Sequence, residues 1–125
     1  VEDAWLDFNQ LVAGWVLRGH GGLTITDHAG IVLGLVLLGH EFGDPEPELG
    51  WLLTADAEGK GYASEAAAAL LAHANALLGS GQFVSYIAKG NRRSITLANR
   101  LGGTADSTPH PLSDDVAAYR FGGAA

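Results

Sequence analysis

From Tyr62 to Leu78 the sequence is dominated by alanine and leucine, and their spacing leaves one reading. Ala63, Ala66, Ala67, Leu70, Leu71, Ala74, Leu77 and Leu78 recur at steps of three and four, the period of a helix that buries one face. Gly79-Ser80-Gly81 stops it. Just before it, Glu48 to Thr54 reads as a strand with a glycine inside, a sign of a bulge or a close backbone approach. Ala55 to Gly61 reads as a loop carrying two glycines. Strand, glycine loop and helix in that order suit phosphate binding. The first-turn N–H groups lack helical partners, the helix dipole is positive there, and glycine lets backbone come close to a diphosphate. The segment Glu58-Gly59-Lys60-Gly61-Tyr62-Ala63-Ser64 matches neither the GxxxxGK[ST] nor the GxGxxG pattern, so on its own it is also consistent with a plain turn before a helix.

The rest of the chain alternates in type. Ala4 to Leu17 has i,i+4 apolar pairs, Leu11 with Trp15 and Val12 with Val16, and is expected to be helical. Leu23 to Thr26 alternates as a strand, Asp27 to Gly30 is a turn, and Ile31 to Leu38 is an apolar run of strand length, expected to be buried and central. His40 to Pro47 is a loop. Phe83 to Ala88 is a strand and Asn91 to Leu101 a short helix ended by Gly102-Gly103. The tail after Thr104 suggests a short strand, a loop with Pro109 and Pro111, and a last strand at Val116–Phe121. No repeat or linker divides residues 1–125, so a single mixed α/β domain is expected.

Composition excludes several functions. There is no cysteine, hence no thiol nucleophile, disulfide scaffold or thiolate metal site. Seven Lys+Arg against 14 Asp+Glu give a net charge of −7, which argues against nucleic acid as a partner. No apolar run reaches the roughly 18–20 residues of a membrane helix. His20, His28, His73 and His110 are scattered without HExxH spacing, so no metal site is expected. Trp5, Trp15 and Trp51 are expected in the core or a cleft wall. The first 25 residues lack the basic and apolar regions of a secretory leader, which with the absence of cysteine suggests a cytoplasmic protein. With no methionine anywhere, Val1 is not an encoded start.

Taken together, ELGWLL, the glycine segment running into YASEA, FVSYIA and NRRSITLANRLGG resemble the GNAT acyl-CoA N-acyltransferase family, most nearly its RimJ/RimL-like branch. The resemblance spans about Ala4 to Phe121. It implies a mostly antiparallel central sheet flanked by helices, with two strands splayed in a V, and acetyl-CoA as the cofactor. It also places a first strand and helix ahead of Ala4, so the sequence is expected to be N-terminally incomplete. A sheet lacking its first strand has an open edge, which allows pairing with a second copy as a homodimer.

The resemblance assigns roles residue by residue, each beside a plainer alternative. Gly59 and Gly61, with the backbone of Lys60, Tyr62 and Ala63, form a pyrophosphate cradle. Lys60 either adds charge there or is solvated. Leu52 and Leu53 pair their backbone with pantetheine, one N–H polarising the acyl carbonyl, or simply pack. Asn91 holds the pantetheine arm or only caps its helix. Arg92 and Arg93 meet the 3′-phosphate or are solvated. Ser94 protonates the leaving thiolate or lies on the helix surface. Glu48, and less so Glu46, is the base that deprotonates the amine, or a solvent carboxylate; His40 and Glu41 are a second candidate pair. Two departures stand out. Glu58 occupies a position usually held by Arg or Gln, so it must point away or be offset by Lys60. Ala98 replaces the tyrosine that many members use as the acid. The implied reaction is direct transfer of acetyl to an amine-bearing acceptor, and the negative field favours a cationic one such as a polyamine, an aminoglycoside or a peptide amine. The rival reading is a CoA-binding regulatory module without activity.

Overall fold

The computed structural model describes residues 1–110 and 113–122. Pro111, part of the expected tail loop, lies outside them. The elements are α1 (Glu2–Leu17), β1 (Gly22–Thr26), β2 (Val32–Gly39), β3 (Glu48–Leu53), a 3-10 turn (Ala55–Ala57), α2 (Tyr62–Leu78), β4 (Val84–Ala88), α3 (Arg92–Arg100), β5 (Gly103–Pro109) and β6 (Val116–Phe121). The strands form one sheet in the order β1-β2-β3-β4-β6-β5. All neighbours are antiparallel except β3 and β4, which run parallel.

That parallel pair positions the site. Its register holds at one point only, Glu48 opposite Val84. There the Val84 N–H donates to the Pro47 carbonyl at 3.1 Å. One step further the Ser85 hydroxyl, not a backbone N–H, donates to the Leu49 carbonyl. Beyond that the strands part, which is the expected V.

Strand alternation sorts the two faces. Leu38 and Leu49 are cross-strand partners, and both are fully buried. With Val36, Phe83, Ile87 and Phe121 they form the core under Leu70 and Ala74 of α2 and Ala98 of α3. Glu48, Gly50 and Leu52 point to the opposite face, where α1 lies. Gly50 causes no bulge, since β2 and β3 stay in continuous register. It marks a close approach instead: a Cβ there would come within 3.1 Å of the Leu37 side chain. Leu38 is buried as expected, but the run begins in solvent: Ile31 and Val32 are exposed, because β2 has only the short β1 beyond it at that end. α1 is the other departure. It buries none of its residues. Trp5 is 62% exposed and Trp15 41%, so neither belongs to the core; Trp15, one turn beyond Leu11, is on the side of α1 that meets the sheet, where its indole N–H donates to the Gly22 carbonyl at 3.0 Å and it lines a small hollow.

Candidate active site

Where β3 and β4 separate, a cavity of about 550 Å³ opens beneath the splayed strands. One wall is the end of β3 (Trp51, Leu52, Leu53), a second is the turn into α2 (Gly59, Gly61, Ala63, Ser64), and a third is α3. Gly59 and Gly61 have φ of +77° and +84°, left-handed values that a side chain resists. Gly61 sits directly ahead of α2, whose first helical bond runs from the Glu65 N–H to the Gly61 carbonyl at 3.1 Å. The N–H groups of Tyr62, Ala63 and Ser64 therefore precede the ladder and carry the positive end of the dipole. Facing them, α3 lines the cavity with Arg92, Arg93 and Arg100. A net-negative protein thus builds a locally cationic, N–H-rich hollow whose polar groups fit the phosphates of a coenzyme A.

The α3 helix is fixed by its cap. Asn91 Oδ1 accepts the Ser94 N–H at 3.2 Å, so the amide oxygen is engaged in capping. The Ser94 hydroxyl accepts the Trp51 indole N–H at 3.2 Å, which joins β3 to α3 across the V. Its own proton remains available to a ligand.

A second cleft, about 230 Å³, is lined by Glu48, Gly50 and Tyr86 among others. Trp51, Leu52, Asn91 and Ser94 line both hollows, so the two meet at the opening between the strands. Glu48 stands where the V begins. Burial, with Asp44 and Glu41 nearby, raises its pKa from 4.5 to about 7, against the opposing effect of a hydrogen bond from the Tyr86 backbone N–H. Such a carboxyl is poised to exchange a proton near neutrality.

Most of the residues singled out from the sequence converge. Leu52, Leu53, Gly59, Gly61, Ala63, Asn91, Arg92 and Ser94 line the larger cavity. Lys60, between the two glycines, and Tyr62, the first residue of α2, are not among its lining residues. Glu58 is offset, but by Arg93 at 2.6 Å rather than by Lys60. The Leu52 backbone is also turned away from the V. A Cβ on Gly34 of β2 would touch its carbonyl oxygen, so that oxygen faces β2. Pro47 and Leu49 turn theirs to β4, and by alternation Trp51 and Leu53 offer N–H and C=O to the gap.

Glu46 is held by Arg120 through two bonds of 2.6 and 3.0 Å, which removes it as a base. His40 and Glu41 line neither hollow. They close their own loop, His40 Nε2–H on the Asp44 carbonyl and the Glu41 N–H on Asp44 Oδ2. Ala98 is fully buried in the core and offers no acid. Arg100 and the Trp51–Ser94 bond escaped the sequence reading. Arg100 lies seven residues after Arg93 on the same helical face, a spacing that signals it. The indole bond has no sequence signal, because its partners are 43 residues apart.

A mixed sheet opened between two parallel strands, with a phosphate-type turn on one side and a carboxyl of neutral pKa on the other, defines an acyl-transfer enzyme. The chain belongs to the acetyltransferase (GNAT) domain family, whose description matches residues 1–104. It is similar to a solved acetyltransferase from Agrobacterium tumefaciens, at 38% identity and TM-score 0.89, covering 97% of this chain and 71% of that one. It is also similar to a GNAT-family acetyltransferase from Bordetella pertussis, at 29% identity and TM-score 0.78, covering 94% and 74%. A ribosomal-protein-alanine N-acetyltransferase from Brucella melitensis shares the fold at 18% identity and TM-score 0.67, covering 91% and 74%. No curated protein matches the chain. No helix among the described residues is long and apolar enough to cross a membrane.

Proposed function

We propose that this protein transfers an acetyl group from acetyl-CoA directly to a primary amine, as a RimJ/RimL-like N-acetyltransferase. The observation that carries the reading is the meeting of the two hollows at one gap in the sheet. One is cationic and lined with N–H groups; the other holds Glu48. The branch assignment rests on the sequence motifs and on alanine at residue 98.

Acetyl-CoA would bring an acyl thioester into the gap. The α2 turn and Arg92, Arg93 and Arg100 hold its phosphates, with the Gly59 and Gly61 backbone free of side-chain obstruction. Trp51 and Leu53 present backbone groups along the pantetheine path, and a free N–H there stabilises the carbonyl oxygen as charge develops. Glu48 takes the proton from the acceptor ammonium, which near a pKa of about 10 is protonated at neutral pH. On collapse of the tetrahedral adduct the attacking nitrogen gives up its second proton, and the Ser94 hydroxyl, steadied by Trp51, relays a proton to the departing sulfur and takes that one in return, so the serine ends neutral. Without cysteine, direct attack is favoured over an acyl-enzyme. Asp44, Glu41 and Glu48 beside the cleft favour a cationic acceptor. A cysteine-free composition suits a cytoplasmic setting.

The test is calorimetric titration with acetyl-CoA, then a screen of amines read by release of free thiol. Binding followed by thiol release with a primary amine supports the reading. Binding with no turnover on any amine overturns the transferase assignment, and absence of binding by folded protein overturns the cradle.

A further inference from the structure

Arg120 of β6 gathers partners that the transfer itself does not use. Its guanidinium grips the Glu46 carboxylate with two donors, Nη1 to Oε1 at 2.6 Å and Nη2 to Oε2 at 3.0 Å. Its Nε–H reaches Asp106 Oδ2 at 2.6 Å, and Nη1 also donates to the Gly81 carbonyl at 2.9 Å. The three charged side chains are only 20–25% exposed. A forked pair of this kind fixes direction as well as distance. What it holds is the entry to β3. Glu46 is followed by Pro47, whose ring fixes its own φ and whose carbonyl is bonded to β4, and then by Glu48. The bonds of His40 and Glu41 to Asp44 stay within the loop and tie it to nothing outside.

We infer that Glu46 is a positioning residue: gripped by Arg120, it holds the Glu46–Glu48 segment against β4 and β6 and so keeps the Glu48 carboxyl in the cleft where the strands part. The inference rests on Glu48 being the base. The groups acting on Glu48 are Asp44 and Glu41 of the loop and the Tyr86 backbone N–H of β4, while Glu46, Asp44 and Arg120 act in turn on the Tyr86 hydroxyl. Asp7 of α1 acts on Glu41, and His110 packs edge-on against Tyr86 at 4.9 Å. Arg120 faces two carboxylates, so removing Glu46 leaves a balanced Arg120–Asp106 pair and strands no charge. With the segment loosened, water reaches Glu48, and the lost desolvation lowers its pKa.

The experiment measures kcat, KM and the pH profile of kcat/KM for E46A, E46Q, R120K and E48Q with acetyl-CoA and a primary amine that the wild type accepts, with the acetyl-CoA Kd measured separately. In E46A kcat falls on the order of tenfold, the acetyl-CoA Kd stays within about twofold, and the acidic limb moves down by about one pH unit. E46Q, which keeps an oxygen for Arg120, retains most of kcat, and R120K, with a single donor group, falls between. An E46A enzyme with wild-type kcat and an unmoved limb overturns the inference. So does one that loses thermal stability while its limb stays in place, the mark of a merely structural tie. The E48Q control separates the two readings. Full activity there overturns the base assignment, whereas an inactive E48Q beside an unaltered E46A overturns only the positioning role.

Discussion

Replacing Glu48 by glutamine should make the protein more stable at alkaline pH while abolishing its activity. The unfolded carboxyl titrates near 4.5 and the folded one near 7, raised first by burial. A folded pKa above the unfolded value means the native state holds the proton longer. Stability is therefore fully retained below pH 4.5 and falls as pH rises from 4.5 to 7, because the unfolded chain ionises more readily. At about 1.4 kcal/mol per unit, the gap amounts to an order-of-magnitude cost of ~3 kcal/mol at pH 8. Glutamine matches the protonated form in shape and can still accept from the Tyr86 N–H, so E48Q should escape that cost. Chemical denaturation of both proteins at pH 4.5 and pH 8 is the assay. The expected result is near-equal stability at the lower pH and a gain of roughly 2–3 kcal/mol for E48Q at the higher one. Equal or lower stability for E48Q at pH 8 would refute the argument that the site is built around a desolvated carboxyl.

Three further outcomes can be checked. Gly61 has a φ of +84° ahead of α2, so G61D should fold with a loss of about 1 kcal/mol and bind acetyl-CoA at least tenfold more weakly by calorimetry; unchanged binding would count against the cradle. Glu58 occupies Arg93 in an exposed pair, so E58Q should tighten acetyl-CoA binding two- to fivefold at low salt, with the gain shrinking as salt is added. In S94A, kcat should fall with little change in acetyl-CoA Kd, and W51F should show a smaller loss of the same kind; an S94A enzyme with full kcat would dismiss the hydroxyl as acid.

The architecture could be read largely from local patterns. The helix at Tyr62–Leu78 and the strand at Val116–Phe121 were legible to the residue because periodicity and glycine stops agree there. The glycine turn could be placed in the site for the same reason: its chemistry belongs to contiguous backbone. What escaped depends on distant partners. Glu46 and Glu48 look alike on paper, two carboxylates two residues apart. Arg120, 74 residues further along, makes one a tether and leaves the other in the cleft. Glu58 likewise suggested Lys60, two positions away, but found Arg93 on another helix. The exposed apolar side chains of α1 carry a helical pattern that gives no measure of how much of the face is covered.

The opening between β3 and β4 has a consequence for how such a protein can change over time. Its two hollows meet there and share Trp51, Leu52, Asn91 and Ser94, while the rest of their linings differ. Gly59, Gly61 and Arg100 line only the first, and Glu48, Gly50 and Tyr86 only the second. On the proposed reading, substitutions at Glu48, Gly50 or Tyr86 would alter the choice of acceptor and leave the donor's hold intact. The opening acts as a window between two rooms, and each room can be refurnished separately.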